Sequence, residues 1–435
     1  MRFQPPKGTR DFLPEEMIKR QFIFDTLREV FEEYGFSPME TPAIESWSVL
    51  SVKGAGGPEA LMESYHFKDK GGREIGLRYD LTVPLARVIA MNLSIPLPFK
   101  RYQISRAWRY GDIKKDRFRE FWQADIDTVG SESMLADAEV VACAIQALKK
   151  LGFRDFVVRM NNRKILSALI EYAGVGKKKV MEAFRAIDKL DKIGVEGVRE
   201  ELLSRGISGE ASGKILDFIS IEGKAEKVLE EAETMIGANE EGRKGIGELR
   251  ELIDYLKALQ VGPKFKVDLS LARGLDYYTG PIFEVSAKEG MGSIAGGGRY
   301  DRLIGLFSGR DVPATGISLG IEGIMELMEE LELFATTKTK TKVFVVAVNK
   351  RFLMEAINIA QMLRNGGVPA EFDLRGRSLT RQLEFADSKG IPYTAIVGEK
   401  ELQREVVTLR DMKKRVEREV PIGELVSELR GRSLK

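Results

Sequence analysis

The stretch from Lys100 to Gly130 reads KRYQISRAWRYGDIKKDRFREFWQADIDTVG. Two runs rich in β-branched and aromatic residues flank a charged loop, with no helical period between them, so they read as two strands. Side chains alternate faces along a strand. On the second run Gln123, Asp125 and Asp127 therefore share one face, while Trp122, Ala124 and Ile126 share the other. The apolar face explains itself as core. The polar face lines up an amide and two carboxylates, at a cost unless ligands or cations meet them. Arg109 ends the first run beside Trp108 and faces that row. Its planar fork suits a phosphate or a carboxylate. Lys114, Lys115, Arg117 and Arg119 crowd the loop and its exit. A surface hairpin laced with salt bridges is the plainer alternative.

Upstream, PEEMIKRQFIFDTLREVFEEYG (14–35) reads as a helix, with Pro14 in the first turn and Gly35 as its stop. In GLRYDLTVPLAR (76–87) alternation puts Arg78, Asp80 and Thr82 on one strand face, although Thr82 before Pro84 also reads as a helix cap. Successive strands without regular helices between them predict an antiparallel or mixed sheet with helices on one side. From about Asn162 to Leu259 strand signals vanish and charged amphipathic segments take over. Strand character returns at KFKVDLSLARGLDYYTG (264–280), so the helical module looks inserted. ATTKTKTK (335–342) lacks apolar anchors and suits a linker. Beyond it strands and helices alternate as in a small α/β domain. The expectation is an α+β chain: a catalytic domain in two parts, 1–160 and 261–334, a helical insertion at 161–260, a linker at 335–342 and an α/β domain at 343–435.

Composition sets outer limits. The chain has 435 residues, 43% apolar and 31% charged, as expected of a folded globular protein. Cys143 is the only cysteine and His66 the only histidine. An intramolecular disulfide and a thiolate zinc cluster are excluded, and a Ser-His-Asp triad would have to use His66, which reads as structural. No run approaches 18 apolar residues, so a cytoplasmic location and no membrane partner are expected. The net charge is +2, yet residues 341–435 hold 18 basic and 13 acidic side chains, a local excess of +5. A mildly basic tail is compatible with nucleic-acid contact. GANEEGRK (237–244) has phosphate-loop glycine spacing, but Arg243 and Lys244 stand where Lys and Ser/Thr are required, so it reads as a turn between helices.

Two further stretches carry chemistry. In LARGLDYYTG (271–280) an arginine, Arg273, directly precedes Gly274, and two tyrosines, Tyr277 and Tyr278, lie between Gly274 and Gly280. Phenols give directional hydrogen bonds and suit a pocket for a small polar ligand. IAGGGRYDRLIG (294–305) has three consecutive glycines, which permit close backbone approach.

RGLDYYTG, GGGRYD and the strand–loop–strand block together resemble the histidyl-tRNA synthetases, class II aminoacyl-tRNA synthetases, in their archaeal and eukaryotic form. The resemblance runs from PPKGTRDFLP (5–14) to ADSKGIPYTAIVGE (386–399). It implies an antiparallel-sheet catalytic domain with a helical insertion that embraces the acceptor stem, followed by an anticodon-binding domain. It implies activation of L-histidine by ATP, with Mg2+ on the phosphates and no protein-only metal site, and transfer to histidine tRNA. By the same resemblance Arg109 and Arg273 are the catalytic α-phosphate arginines. Asp80, Thr82 and Gln123 hold the amino and carboxylate groups, with Arg109 and Arg273 nearby. Asp127, Tyr277 and Tyr278 read the imidazole, and Tyr300 adjoins them. Arg117, Arg119 and Gly320 join Arg109 and Arg273 around ATP. A homodimer is implied, pairing through the first helix and the stretch around Pro42. One position departs from the family pattern: Gly323 stands where its third motif ends in an ATP-contacting arginine, with Arg302 or Arg310 as possible substitutes. A regulatory paralogue and an RNA-binding module are the rival readings.

Overall fold

The structure is a computed structural model that describes residues 3–53, 55–113, 118–262, 264–272, 276–286, 293–334 and 338–430. The chain divides into two compact units, Met1–Arg10 with Ile23–Leu333 and Asp11–Phe22 with Phe334–Lys435. That Asp11–Phe22 belongs to the second unit is marked by nothing in the sequence pattern.

The helix Pro14–Glu33 carries Glu15 and Glu16 in its first turn, where the positive end of the helix dipole favours them. Ile23, Leu27, Val30 and Phe31 recur at helical spacing and are buried. Gly35, at φ +76°, ends it: its amide bonds to Glu32 O while the Phe36 amide returns to Phe31 O.

In chain order the strands of the first unit are β1 (Ser37–Pro38), β2 (Ile44–Ser46), β3 (His66–Lys68), β4 (Glu74–Leu77), β5 (Phe99–Trp108), β6 (Glu120–Val129), β7 (Val157–Asn162), β8 (Lys264–Val267), β9 (Pro281–Ser286), β10 (Ser293–Arg299) and β11 (Ala314–Gly320). Eight of them form one sheet in the order β1-β5-β6-β11-β10-β9-β7-β8. β1 runs parallel to β5 and β8 parallel to β7; the remaining pairs are antiparallel. β2, β4 and β3 make a small separate sheet. The helix Met134–Lys150 packs on β6, β10 and β11. Ser133 caps it, and Ala138, Val141, Ala142, Ile145 and Leu148 are fully buried. This is the expected α+β class.

Between β7 and β8, from 163 to 258, the described residues hold helices and no strand. Asn239 starts the helix Glu240–Ala258 by accepting from the Gly242 amide, so the decoy glycine stretch is a helix cap. Gly242 and Gly245 let that helix press on the helix Arg163–Tyr172. A Cβ on Gly242 would lie 2.8 Å from Ala168 Cβ, and one on Gly245 3.0 Å from Ile165.

The second unit contains β12 (Val343–Ala347), β13 (Ala370–Phe372), β14 (Tyr393–Val397), β15 (Val406–Asp411) and β16 (Val416–Pro421), in the order β13-β12-β14-β15-β16. β13, β12 and β14 are parallel, and β15 and β16 add an antiparallel hairpin. The helix Leu353–Asn365 covers the sheet through Ala356, Ile359 and Leu363. The β15–β16 hairpin corrects the expected order, which passes from the third strand to the last helix. Val407, Leu409 and Val420 are its buried side chains, and the spacing of two between Val407 and Leu409 is the signal. No helix among the described residues is long and apolar enough to cross a membrane.

Candidate active site

Register fixes the floor of the site. Across β5 and β6, Arg101 pairs with Asp127, Gln103 with Asp125 and Ser105 with Gln123. Across β6 and β11, Asp127 pairs with Gly316, Asp125 with Ser318 and Gln123 with Gly320. On β10, Gly298 and Gly296 continue the first two rows. Long polar side chains on β5 and β6 thus give way to glycine and serine on β11 and β10. The result is a trough, opening into a cavity of about 570 Å³.

Asp127 sits at the base, 2% exposed. Its Oδ2 lies 2.8 Å from Nη2 of Arg101, a fully buried guanidinium, and its Oδ1 accepts from the Tyr300 hydroxyl. Burial raises the Asp127 carboxyl pKa, and Arg101 and Tyr300 work against that rise. Gly316 makes this placement possible, since a Cβ there would lie 2.0 Å from Asp127 Oδ1 and 2.8 Å from Ile126 O. Beside it Tyr277 meets Tyr278 and Tyr300 edge-on, with ring centroids 4.8 and 5.7 Å apart. Burial holds the Tyr277 and Tyr300 hydroxyls well above their usual range, so both stay neutral hydrogen-bonding groups. Thr82 lines the same cavity.

Asp80 Oδ1 accepts the Val83 amide at 3.1 Å, and its Oδ2 is buried without a hydrogen-bond partner. Burial pushes its carboxyl up to about 6. Asp125 is pushed up to about 7, again by burial, with Asp127 and Asp80 adding to the rise. At the cavity wall Arg109 donates Nε to Tyr79 O at 2.9 Å, and its guanidinium lies 5.3 Å from the centroid of the Phe121 ring.

One cavity therefore brings together Asp80, Thr82, Arg109, Gln123, Asp127, Tyr277, Tyr278, Tyr300 and Gly320. Arg119 is not on its wall. Its guanidinium stacks 3.7 Å over the Tyr110 ring, and its amide donates to Gly8 O at 2.9 Å. Arg117 and Arg273 lie outside the described residues, as do Lys114 and Lys115.

The strand face expected for Arg78, Asp80 and Thr82 is corrected. β4 stops at Leu77 and Thr82 opens the helix Thr82–Met91, with Pro84 in its first turn. Asp80, and not Thr82, supplies the side-chain bond at that helix start. Arg78 is turned to Glu40 and Thr41 and holds that segment to β5 through Arg106 O. Gly323 lies in the helix Ile321–Glu330, where an added Cβ would meet only Ile294 at 3.8 Å. His66 stacks on Trp47 at 4.0 Å and pairs with Glu74, a structural setting in the small sheet.

Sequence reasoning missed Arg101, Ser318 and Asp188, which comes to the cavity wall from the helical segment. Arg101 had a signal: it shares strand parity with Gln103, Ser105 and Arg109. Ser318 and Asp188 had none.

Comparison with known proteins agrees with this geometry. The family described as histidyl-tRNA synthetase matches residues 8–324, and an anticodon binding domain matches 342–432. A histidine–tRNA ligase of Aeropyrum pernix is 44% identical, and one of Gloeobacter violaceus 41%, each over 97% of both chains. The crystal structure of histidyl-tRNA synthetase from Nostoc sp. PCC 7120 superposes with a TM-score of 0.87 at 33% identity, covering 100% of both chains. Archaeal and bacterial relatives are thus similarly close, and the identities do not single out the archaeal and eukaryotic form. With relatives of this identity matched almost end to end, the chain belongs to the histidyl-tRNA synthetase family.

Proposed function

We propose that this protein uses ATP to activate L-histidine to histidyl-adenylate and transfers the histidyl group to the 3′ end of histidine tRNA. The observation that carries the reading is Asp127, pinned by Arg101 and Tyr300 at the base of a cavity whose wall holds Arg109. An aspartate fixed in this way, with the hydroxyl-bearing Tyr277 and Tyr278 in the same cavity, matches an imidazole, which both donates and accepts. An apolar side chain would leave these groups unsatisfied, a penalty that reaches roughly 10⁴–10⁵ in discrimination.

The histidine carboxylate is ionised at pH 7 and needs no general base. Its oxygen bonds to the α-phosphorus, the bond to the β-phosphate oxygen breaks, and pyrophosphate leaves. Arg109 and Arg273 stabilise the charge on the α-phosphate, while Asp80, Thr82 and Gln123 hold the amino-acid backbone groups. Arg117 and Gly320, the latter on the cavity wall, complete the ATP contacts, and Arg119 would join them only by leaving its stack on Tyr110. In the second step a ribose hydroxyl of the tRNA terminus takes the acyl group and AMP departs. Among the described residues no three His, Cys, Asp or Glu side chains are grouped to hold a metal. Mg2+ would enter with ATP, held through its phosphates, and would supply charge neutralisation there.

The anticodon-binding domain engages the tRNA, helped by the basic excess at 341–435, and the helical insertion at 161–260 meets the acceptor stem. The protein works in the cytoplasm as a homodimer paired through the helix Pro14–Glu33 and the stretch around Pro42, an isologous interface. We assign it to the archaeal and eukaryotic-like form on its RGLDYYTG and GGGRYD motifs. Histidine-dependent ATP–pyrophosphate exchange tests the function. Exchange that needs histidine and no other amino acid is expected; its absence from folded protein would favour a regulatory paralogue or an RNA-binding module.

A further inference from the structure

Arg101 does not line the cavity, yet it is tied to both recognition ends of it. It is fully buried and pairs in register with Asp127 across β5 and β6. Of the buried aspartates Asp80, Asp125 and Asp127, only Asp127 has a guanidinium at ion-pair distance among the described residues. One nitrogen serves two partners: Arg101 Nη2 lies 2.8 Å from Asp127 Oδ2 and donates to Leu81 O at 3.1 Å. Leu81 stands between Asp80 and Thr82. Arg101 therefore holds the imidazole-reading carboxylate at a set distance from the turn read as holding the amino-acid backbone groups. Towards Asp127 the contact is one of charge without an aligned hydrogen bond, so Oδ2 keeps its acceptor capacity for a ligand N–H.

The charge also decides the chemistry of Asp127. A carboxyl buried without a cation keeps its proton, and a protonated carboxyl offers an O–H donor where the ion only accepts. The groups that act on Asp127 are few. Arg101 faces it from β5, and the Tyr300 hydroxyl donates to its Oδ1. Asp125 shares its face of β6 and Asp80 comes from the start of the helix Thr82–Met91; both oppose a further negative charge. β11 sets only Gly316 opposite it. Arg101 is the one cation in this set.

We propose that Arg101 is a positioning residue that keeps Asp127 an ionised, acceptor-only carboxylate, so that the site reads an N–H of the imidazole at neutral pH. The proposal rests on the functional reading above and deepens it: discrimination for histidine depends on a side chain that never touches it.

The test follows histidine saturation of pyrophosphate exchange from about pH 7 to about pH 9.5, by the full-length wild type, Arg101→Met and Arg101→Lys. Methionine removes the charge and adapts to the space. At about pH 7 its KM for histidine should exceed that of the wild type roughly 10- to 100-fold, the range of a hydrogen bond to a charged group. The ratio should then fall as pH rises and Asp127 gives up its proton. The KM for ATP should stay within about threefold, because Arg109 is anchored separately, on Tyr79 O. Lysine keeps the charge and should follow the pH course of the wild type. Asp125 also feels Arg101, so the fall must persist in an Asp125→Asn background. A ratio that is flat with pH, a fall that disappears with Asp125, equal losses for histidine and ATP, or a lysine variant that behaves as the methionine one would overturn the proposal. If a thermal melt shows that Arg101→Met does not fold, Arg101→Lys decides alone: a wild-type pH course supports the proposal and a new pH-dependent loss overturns it. Pyrophosphate exchange by the wild type that ignores histidine would instead overturn the functional reading.

Discussion

Gly316→Ala is the sharpest perturbation the site offers, because one methyl group strikes the residue read as specific for histidine. The added Cβ would lie 2.0 Å from Asp127 Oδ1, where ordinary contact begins at about 3.4 Å, so roughly 1.4 Å must be found. Little can yield. The second near neighbour is backbone, Ile126 O at 2.8 Å, and Asp127 is tied on both oxygens. Moving the carboxylate by this amount stretches its 2.8 Å pair with Arg101 towards the limit of an ion pair. Breaking a buried pair outright costs about 3–5 kcal/mol. Partial relaxation of the strands brings the expected loss to about 2–4 kcal/mol, or about 30- to 1,000-fold in kcat/KM for histidine. Saturation of pyrophosphate exchange with histidine and then with ATP measures it, beside a thermal melt. The KM for ATP should change by no more than a few-fold, because Arg109 is anchored separately, on Tyr79 O. Gly323→Ala is the control: its Cβ meets only Ile294 at 3.8 Å, and alanine suits a helix better than glycine. A Gly316→Ala enzyme with wild-type histidine saturation and an unchanged melt would refute the steric reasoning.

Four further outcomes are expected. Asp127→Ala should weaken histidine use far more than ATP use in separate titrations, and equal losses would remove its specificity role. Arg273→Ala should slow adenylate formation while leaving histidine binding largely intact; an unchanged single-turnover rate counts against it. Gly323→Arg starts a side chain whose Cβ lies 3.8 Å from Ile294 of the cavity wall and should lower the KM for ATP, and a raised KM would show that the position is not open to a cation. The fourth concerns pH. Burial holds Asp125 at about 7 against an ordinary value near 4, so between those limits the ligand-free folded protein binds a proton that the unfolded chain releases. Its contribution to stability is full below about pH 4 and falls as pH rises to about 7. Asp125→Asn lacks this dependence. Urea melts should therefore show the stability of the variant rising relative to the wild type over that window, by a few kcal/mol at most; a relative stability that stays flat or falls as pH rises would refute the assignment.

The strand-loop-strand block was legible because alternation is local: Gln123, Asp125 and Asp127 need only a strand to share a face. Tyr277, Tyr278 and Tyr300 stood out because glycines frame two short motifs. Asp80 and Thr82 were placed on the wrong element because GLRYD continues a strand pattern, while Pro84 and the Asp80 bond to Val83 start a helix within it. Arg101 escaped notice for another reason. A buried guanidinium is improbable until its counter-ion is known, and the counter-ion follows from hairpin register, which parity alone does not fix. Ser318 is set by a partner about 200 residues distant in sequence, a relation that no local pattern carries. The β15–β16 hairpin was lost to charge, since Arg418, Glu417 and Glu419 mask its alternation.

β7 and β8 lie side by side and point the same way, with Val157 opposite Lys264. The chain therefore leaves the sheet at Asn162, at one end of β7, and must return to the other end, roughly 17 Å back along the strand at about 3.3 Å per residue. A tight turn cannot span that gap. The helices Arg163–Tyr172 and Glu240–Ala258, pressed together through glycine, supply the return path as well as whatever the rest of the segment does. Surgical removal of the segment would have to spare this splint or graft in a dozen or so residues of new bridge. A trimmed version that keeps both helices and rejoins them between 172 and 240 is the edit most compatible with an intact sheet.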